Sequence, residues 1–157
     1  MASTRLFNIL GLAFWVVLTF GIAAFASQFE SGEWYASIAK PSWTPPGWLF
    51  GPVWGLLYFS MSFAAWLVWI QRSRTPVVIP LFLYLTQLAI NGFWSWLFFG
   101  HQLIGLALLD IIILVLLITV TLTLFMKVNR TAGLLFIPYL MWVCFATALN
   151  FQIWRLN

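Results

Sequence analysis

Apolar residues run along this chain in five blocks, Leu6–Ala26, Trp48–Ile70, Val77–Phe99, Leu103–Phe125 and Ala132–Trp154, separated by short polar links. About 20 apolar residues suffice to carry a helix across a bilayer's hydrocarbon core, at about 1.5 Å of rise per residue. The pattern therefore predicts five transmembrane helices in one all-α bundle over residues 1–157. The first block is read as a retained helix rather than a cleaved signal, because no small-x-small cleavage site leads into a hydrophilic remainder. The links after the second, third and fourth blocks are tight, which predicts antiparallel neighbours. The link from Ser27 to Gly47 is much longer. It holds Trp34 and Tyr35 and then KPSWTPPGW, residues 40–48. Prolines fix φ and remove backbone donors, so this stretch is expected to hold one extended shape as an ordered lid. Trp43 and Trp48 suit a membrane interface.

Polar side chains inside the blocks need a physical reason, since lipid offers them no partner. The second block carries Trp54 and Tyr58 four residues apart. The third carries Gln87, Asn91 and Ser95 at the same spacing, with Trp94 alongside. The fifth carries Trp142, Ala146 and Asn150. Two readings stand side by side: amides and hydroxyls that bond helix to helix, or a shared, mostly apolar cavity with a few orienting polar groups. Pro52 and Pro80 sit in first turns, where no backbone bond is lost, whereas Pro138 lies deeper and predicts a kink.

Composition fixes the solvent. Residues are 64% hydrophobic and 6% charged, against about 25% charged in soluble domains. The net charge of +4 is spread over short links and forms no basic stripe, so nucleic acid is not an expected partner. Arg5, Arg72, Arg74, Lys127 and Arg130 fall on one side; Lys40 and Arg155, with Glu30 and Glu33, fall on the other. For a bacterial inner membrane this predicts a cytoplasmic N-terminus, with the first loop and C-terminus across the membrane. Cys144 is the single cysteine, and His101 has no ligand-type neighbours at metal spacing, so neither a disulfide nor a metal site is expected. Asp110 stands inside the fourth block, where pairing with Arg155, Lys40 or an indole N–H would offset its burial. No motif of a conventional hydrolase, nucleotide-binding or redox enzyme occurs.

The ordered motifs WY, KPSWTPPGW, GPVWGLLY, QLAINGFWSWLFFG, ALLD and FIPYLMWVCFATALNFQIWRLN resemble those of the translocator protein family, also called tryptophan-rich sensory proteins, TspO/MBR or peripheral benzodiazepine receptors. The resemblance runs from Trp34 to the C-terminus. It implies a five-helix membrane protein, homodimeric, that takes protoporphyrin IX, haem or another hydrophobic small molecule between its helices and requires no cofactor. Carried over by motif, the ligand site comprises Trp54, Tyr58, Asn91, Trp94, Trp142, Ala146, Leu149 and Asn150, closed from the loop by Tyr35, Trp43 and Pro45. Two departures stand out. Phe151 in LNFQIWR replaces the tyrosine of the animal sterol pattern, so sterol binding is not expected. Leu106 stands where animal members carry tryptophan, which predicts a different ligand fit there.

The resemblance and the aromatic walls favour a porphyrin receptor, sensor or transporter, with Lys40 as a charge partner for propionates. A light-dependent porphyrin-degrading enzyme using Trp54 and Trp142 is the second reading, and a passive scaffold the third.

Overall fold

The computed structural model describes residues 2–29 and 32–157, and for residues 2–5 the backbone alone; Glu30 and the Arg5 side chain thus lie outside the described residues. Five long helices carry the spans: α1 (Ala2–Ala26), α3 (Phe50–Trp69), α4 (Val78–Ser95), α5 (Ile104–Val128) and α6 (Arg130–Leu156). A short helix, α2 (Glu33–Ser37), lies in the first link, and a single 3-10 turn (Gly47–Leu49) leads into α3. All five long segments are long and apolar enough to cross a membrane, α4 together with the turn Trp96–Gly100 that extends it. The fold is an all-helical, multi-pass membrane bundle.

The helices close into a ring in the order α1, α3, α6, α5, α4, with α4 returning to α1. The short link between the second and third spans predicted direct neighbours. Instead α1 packs on both α3 and α4, and those two touch each other little. A short link fixes only that two helix ends are near; the apolar faces decide what lies between. Trp69 shows how α1 wins that place. Its indole crosses α1 at Gly11, where a Cβ would collide with the ring. Nearby, the Trp66 indole N–H donates to the Asn8 carbonyl at 2.8 Å.

One half of the ring is filled and the other is hollow. Around the Arg72 and Lys127 links, Met61, Tyr84, Leu88, Ile118, Phe125 and Phe136 are fully buried and close the centre. Polar contacts brace this half: Tyr139 donates to Gln87 Oε1 at 2.8 Å, and Thr19 is bonded to Tyr84. Helix α6 runs unbroken through Pro138. One turn before the proline, Ser60 donates its hydroxyl to the Leu135 carbonyl at 3.0 Å.

At the hollow end, α4 widens into a π-helical turn over Trp96–Gly100. His101 follows, its ring against Trp96 with centroids 4.0 Å apart, and Gln102 takes a positive φ of 58°. The wider turn places Leu97 and Phe98 in a second buried cluster with Ala107, Leu149 and Ile153. Trp34, Tyr35 and Ile38 from the first link pack against it.

Candidate ligand-binding site

The hollow half encloses a cavity of about 940 Å³ walled by all five long helices and the first link. That is near the top of the range of about 300–1,000 Å³ for small-molecule sites. Flat aromatic surfaces form its walls. Trp54 stacks on Tyr58, with centroids 5.3 Å apart and planes at 27°. Trp94 stacks on Phe98 at 5.0 Å and 19°. Trp142 meets Phe50 edge-on at 5.7 Å. Small residues, Ala23, Gly51, Gly55 and Ala146, supply the open volume between these rings.

The sequence offered cavity lining and helix-to-helix bonding as alternatives for the polar stripes, and the structure combines them. Asn91 lines the cavity while its Oδ1 accepts from the Tyr58 hydroxyl at 2.7 Å. Asn150 also lines it, accepts from the Trp94 indole N–H at 3.0 Å, and donates to the Ile104 carbonyl at 3.1 Å. One amide therefore ties α4, α5 and α6 together at the cavity wall. Gln87, on the same stripe one turn below Asn91, bonds to Tyr139 and lies outside the lining. Trp142 has a buried indole N–H with no protein partner.

Of the positions marked from sequence, Tyr35, Pro45, Trp54, Tyr58, Asn91, Trp94, Trp142, Ala146, Leu149 and Asn150 all line this one cavity. Trp43 does not. Its ring packs edge-on against Phe145 at 5.7 Å and is 45% exposed, so it pins the loop to the outer face of α6. Leu106, where animal members carry tryptophan, is exposed and also lies outside the lining. His101 lies outside as well. The sequence reading missed the α1 and α5 contributions, Phe20, Ala23, Ile111 and Leu114. These are ordinary apolar residues in apolar spans, and only the ring closure singles them out.

The first link roofs the cavity and is fastened at several points. Trp34 and Tyr35 meet Phe98 edge-on, at 5.7 and 6.1 Å. The Asn157 side chain pairs with the backbone of Ala39, accepting and donating at 3.1 Å each. Lys40, the propionate partner expected from sequence, lines the cavity and also braces the link. Its ammonium donates to the carbonyls of Tyr35, Ala36 and Ile38 and lies 4.8 Å from the Tyr35 ring centroid. An ammonium has three donors, and all three are spent on closing the last turn of α2. Partial burial of its ring, which disfavours the phenolate, raises the Tyr35 phenol above its usual value of 10.0.

Asp110 is 6% exposed, and its Oδ2 has no hydrogen-bond partner among the described residues, so the pairing with Lys40, Arg155 or an indole is not formed by that oxygen. Among the described residues, no group of three metal-ligating side chains occurs. The cavity lining, among the described residues, contains no histidine, cysteine or methionine.

The profile of the TspO/MBR family matches residues 10–155. The human Translocator protein is 42% identical over 136 residues, covering 83% of this chain and 80% of its own length. Protein CrtK of Rhodobacter capsulatus is 43% identical over 131 residues, covering 82% and 81%. Tryptophan-rich protein TspO of Archaeoglobus fulgidus is 39% identical over 158 residues, covering 96% and 99%. A family match across nearly the whole chain, with the motif residues gathered around one roofed cavity, places it: this chain belongs to the TspO/MBR family of multi-pass membrane proteins.

Proposed function

We propose that the roofed cavity binds a tetrapyrrole, protoporphyrin IX or haem, and that the protein senses, carries or regulates such molecules. The observation that carries this reading is the pairing of about 940 Å³ of space with flat walls at Trp54, Trp94 and Trp142. Aromatic walls give a planar macrocycle large contact area at small side-chain entropy cost. A relative from Cereibacter sphaeroides, 36% identical over 135 residues, bears the name Tryptophan-rich sensory protein, which supports a sensing role. The five basic residues Arg5, Arg72, Arg74, Lys127 and Arg130 support placing the filled half toward the cytoplasm and the roof across the membrane. The family resemblance supports a homodimer, which mass photometry in nanodiscs would read.

Titrating the full chain with protoporphyrin IX, haem and cholesterol, followed by tryptophan quenching, tests the binding. The tetrapyrroles should quench saturably and cholesterol should not. Ala146→Phe, which fills the cavity, should abolish the quenching while the helical circular dichroism is unchanged. Equal quenching in a folded Ala146→Phe protein would overturn the site.

A second reading, oxidative degradation of a bound porphyrin by dioxygen in light, has its own support. Trp54 lies in the wall between Tyr58 and Tyr139, 6.2 Å from the latter's centroid, so oxidisable rings adjoin the ligand space. It predicts a protein-dependent product under illumination that falls in Trp54→Phe and Trp142→Phe. Stoichiometric binding with no such product rejects it.

A further inference from the structure

A second concavity lies on the outside of the bundle at its basic end, between α1 and α3, and is independent of the roofed cavity. Phe7, Leu10, Gly11, Phe14 and Trp69 line about 340 Å³ there. It exists because Gly11 lets the Trp69 indole lie across α1. Phe7 joins that wall, its ring 5.3 Å from Trp69. Phe7, Leu10 and Phe14 are each more than half exposed, so the groove opens toward the bilayer. Its lining is wholly apolar, and its shape is a trough along α1 rather than a closed chamber.

Arg72 stands at the mouth of the trough, one turn beyond Trp69. Its guanidinium lies 3.7 Å from the Trp69 centroid and 4.9 Å from that of Phe7. Nη1 donates to the Trp69 carbonyl at 3.0 Å. A guanidinium has five N–H donors, so stacking and one hydrogen bond fix its plane while others stay available. Among the described residues, the acidic side chains Glu33 and Asp110 belong to the first link and the start of α5, at the other end of the bundle. No described acidic side chain reaches this arginine, so an anion from outside the chain would complete it. Its charge, its placement level with the end of the span, and the hydrocarbon trough below it complement an amphiphile with an anionic head.

We propose that this groove is a binding site for one anionic phospholipid, with an acyl chain along Phe7, Leu10, Gly11 and Phe14 and the phosphate on Arg72. The stacked, pre-placed guanidinium distinguishes it from diffuse attraction by the other basic residues of that end. Each basic group near an anionic membrane surface is worth about 1 kcal/mol, or about fivefold in affinity.

Native mass spectrometry of the detergent-solubilised full chain, titrated with dioleoylphosphatidylglycerol or dioleoylphosphatidylcholine, tests this. The wild type should retain one phosphatidylglycerol about fivefold more tightly than phosphatidylcholine. Arg72→Gln should bring the two lipids level, Arg130→Gln at the same end should leave the preference intact, and Leu10→Trp should release both lipids by filling the trough. Equal affinities in the wild type, or equal losses in Arg72→Gln and Arg130→Gln, would overturn the site. Should Arg72→Gln fail to fold, Leu10→Trp decides: undiminished retention of phosphatidylglycerol refutes the groove.

Discussion

Replacing Lys40 by methionine separates two roles for the only basic residue of the first link. Methionine keeps the apolar length of the side chain but deletes the ammonium that donates to Tyr35, Ala36 and Ile38 and faces the Tyr35 ring. A cation at a helix C-terminus contributes about 0.3–1 kcal/mol, and a half-exposed cation–π contact about 0.5–1 kcal/mol. Together these come to about 1–2 kcal/mol, which raises the opening equilibrium of α2 by about 5- to 30-fold. Hydrogen exchange reads this directly. The amides of Ala36 and Ile38, bonded to Gly32 and Trp34 at 3.3 and 3.2 Å, should exchange faster by that factor. The amides of α3 to α6 should be unchanged. Porphyrin affinity supplies the second readout. If Lys40 acts as a brace, Lys40→Met weakens protoporphyrin IX and its dimethyl ester equally. Unchanged exchange together with a loss confined to the free acid would refute the brace and restore Lys40 as a carboxylate partner.

Asn150→Leu should lower stability by about 1–2 kcal/mol, because it orphans the Trp94 indole N–H and releases the Ile104 carbonyl at a three-helix junction; a detergent thermal melt measures it. Gly133→Ala should cost about 1–3 kcal/mol by overpacking. The new Cβ would meet the Met126 backbone at 2.9 Å as well as its side chain, so the α5–α6 turn must shift; a melt unchanged from wild type would refute the close approach. Tyr35 contributes an alkaline limb to the stability profile. Its phenol titrates higher folded than unfolded, so stability is intact below pH 10.0 and falls as pH rises from there toward the folded value. Tyr35→Phe should flatten that fall without altering the profile at neutral pH.

The spans were legible because lipid imposes one simple rule, about 20 apolar residues in a row, and the blocks obey it without ambiguity. The wall residues were legible for a related reason. Amides and tryptophans at four-residue spacing in an apolar helix share one face, and in this bundle that face turns inward for Asn91, Trp142 and Asn150. The rest depended on how the faces meet. Nothing local in Phe20 or Ile111 marks them as cavity wall, since nearly every residue near them is equally apolar. Loop side chains obey no period, so Trp43 and Tyr35 looked alike, yet one pins the loop from outside and the other faces the cavity. Charge alone marked Lys40 as a partner for an anion, whereas the three nearby carbonyls that take its donors leave no mark in the sequence.

By itself the sequence determined the solvent, the number of spans and the inward faces of three helices, because hydrophobic length and helical period are local properties. The tertiary structure alone decided that α1 separates α3 from α4 and that one half of the ring is packed while the other is hollow. It also placed Arg72 at the mouth of an apolar trough. Those outcomes turn on which surfaces fit, as at Gly11 beneath Trp69, and side-chain complementarity between distant segments leaves no periodic trace along the chain.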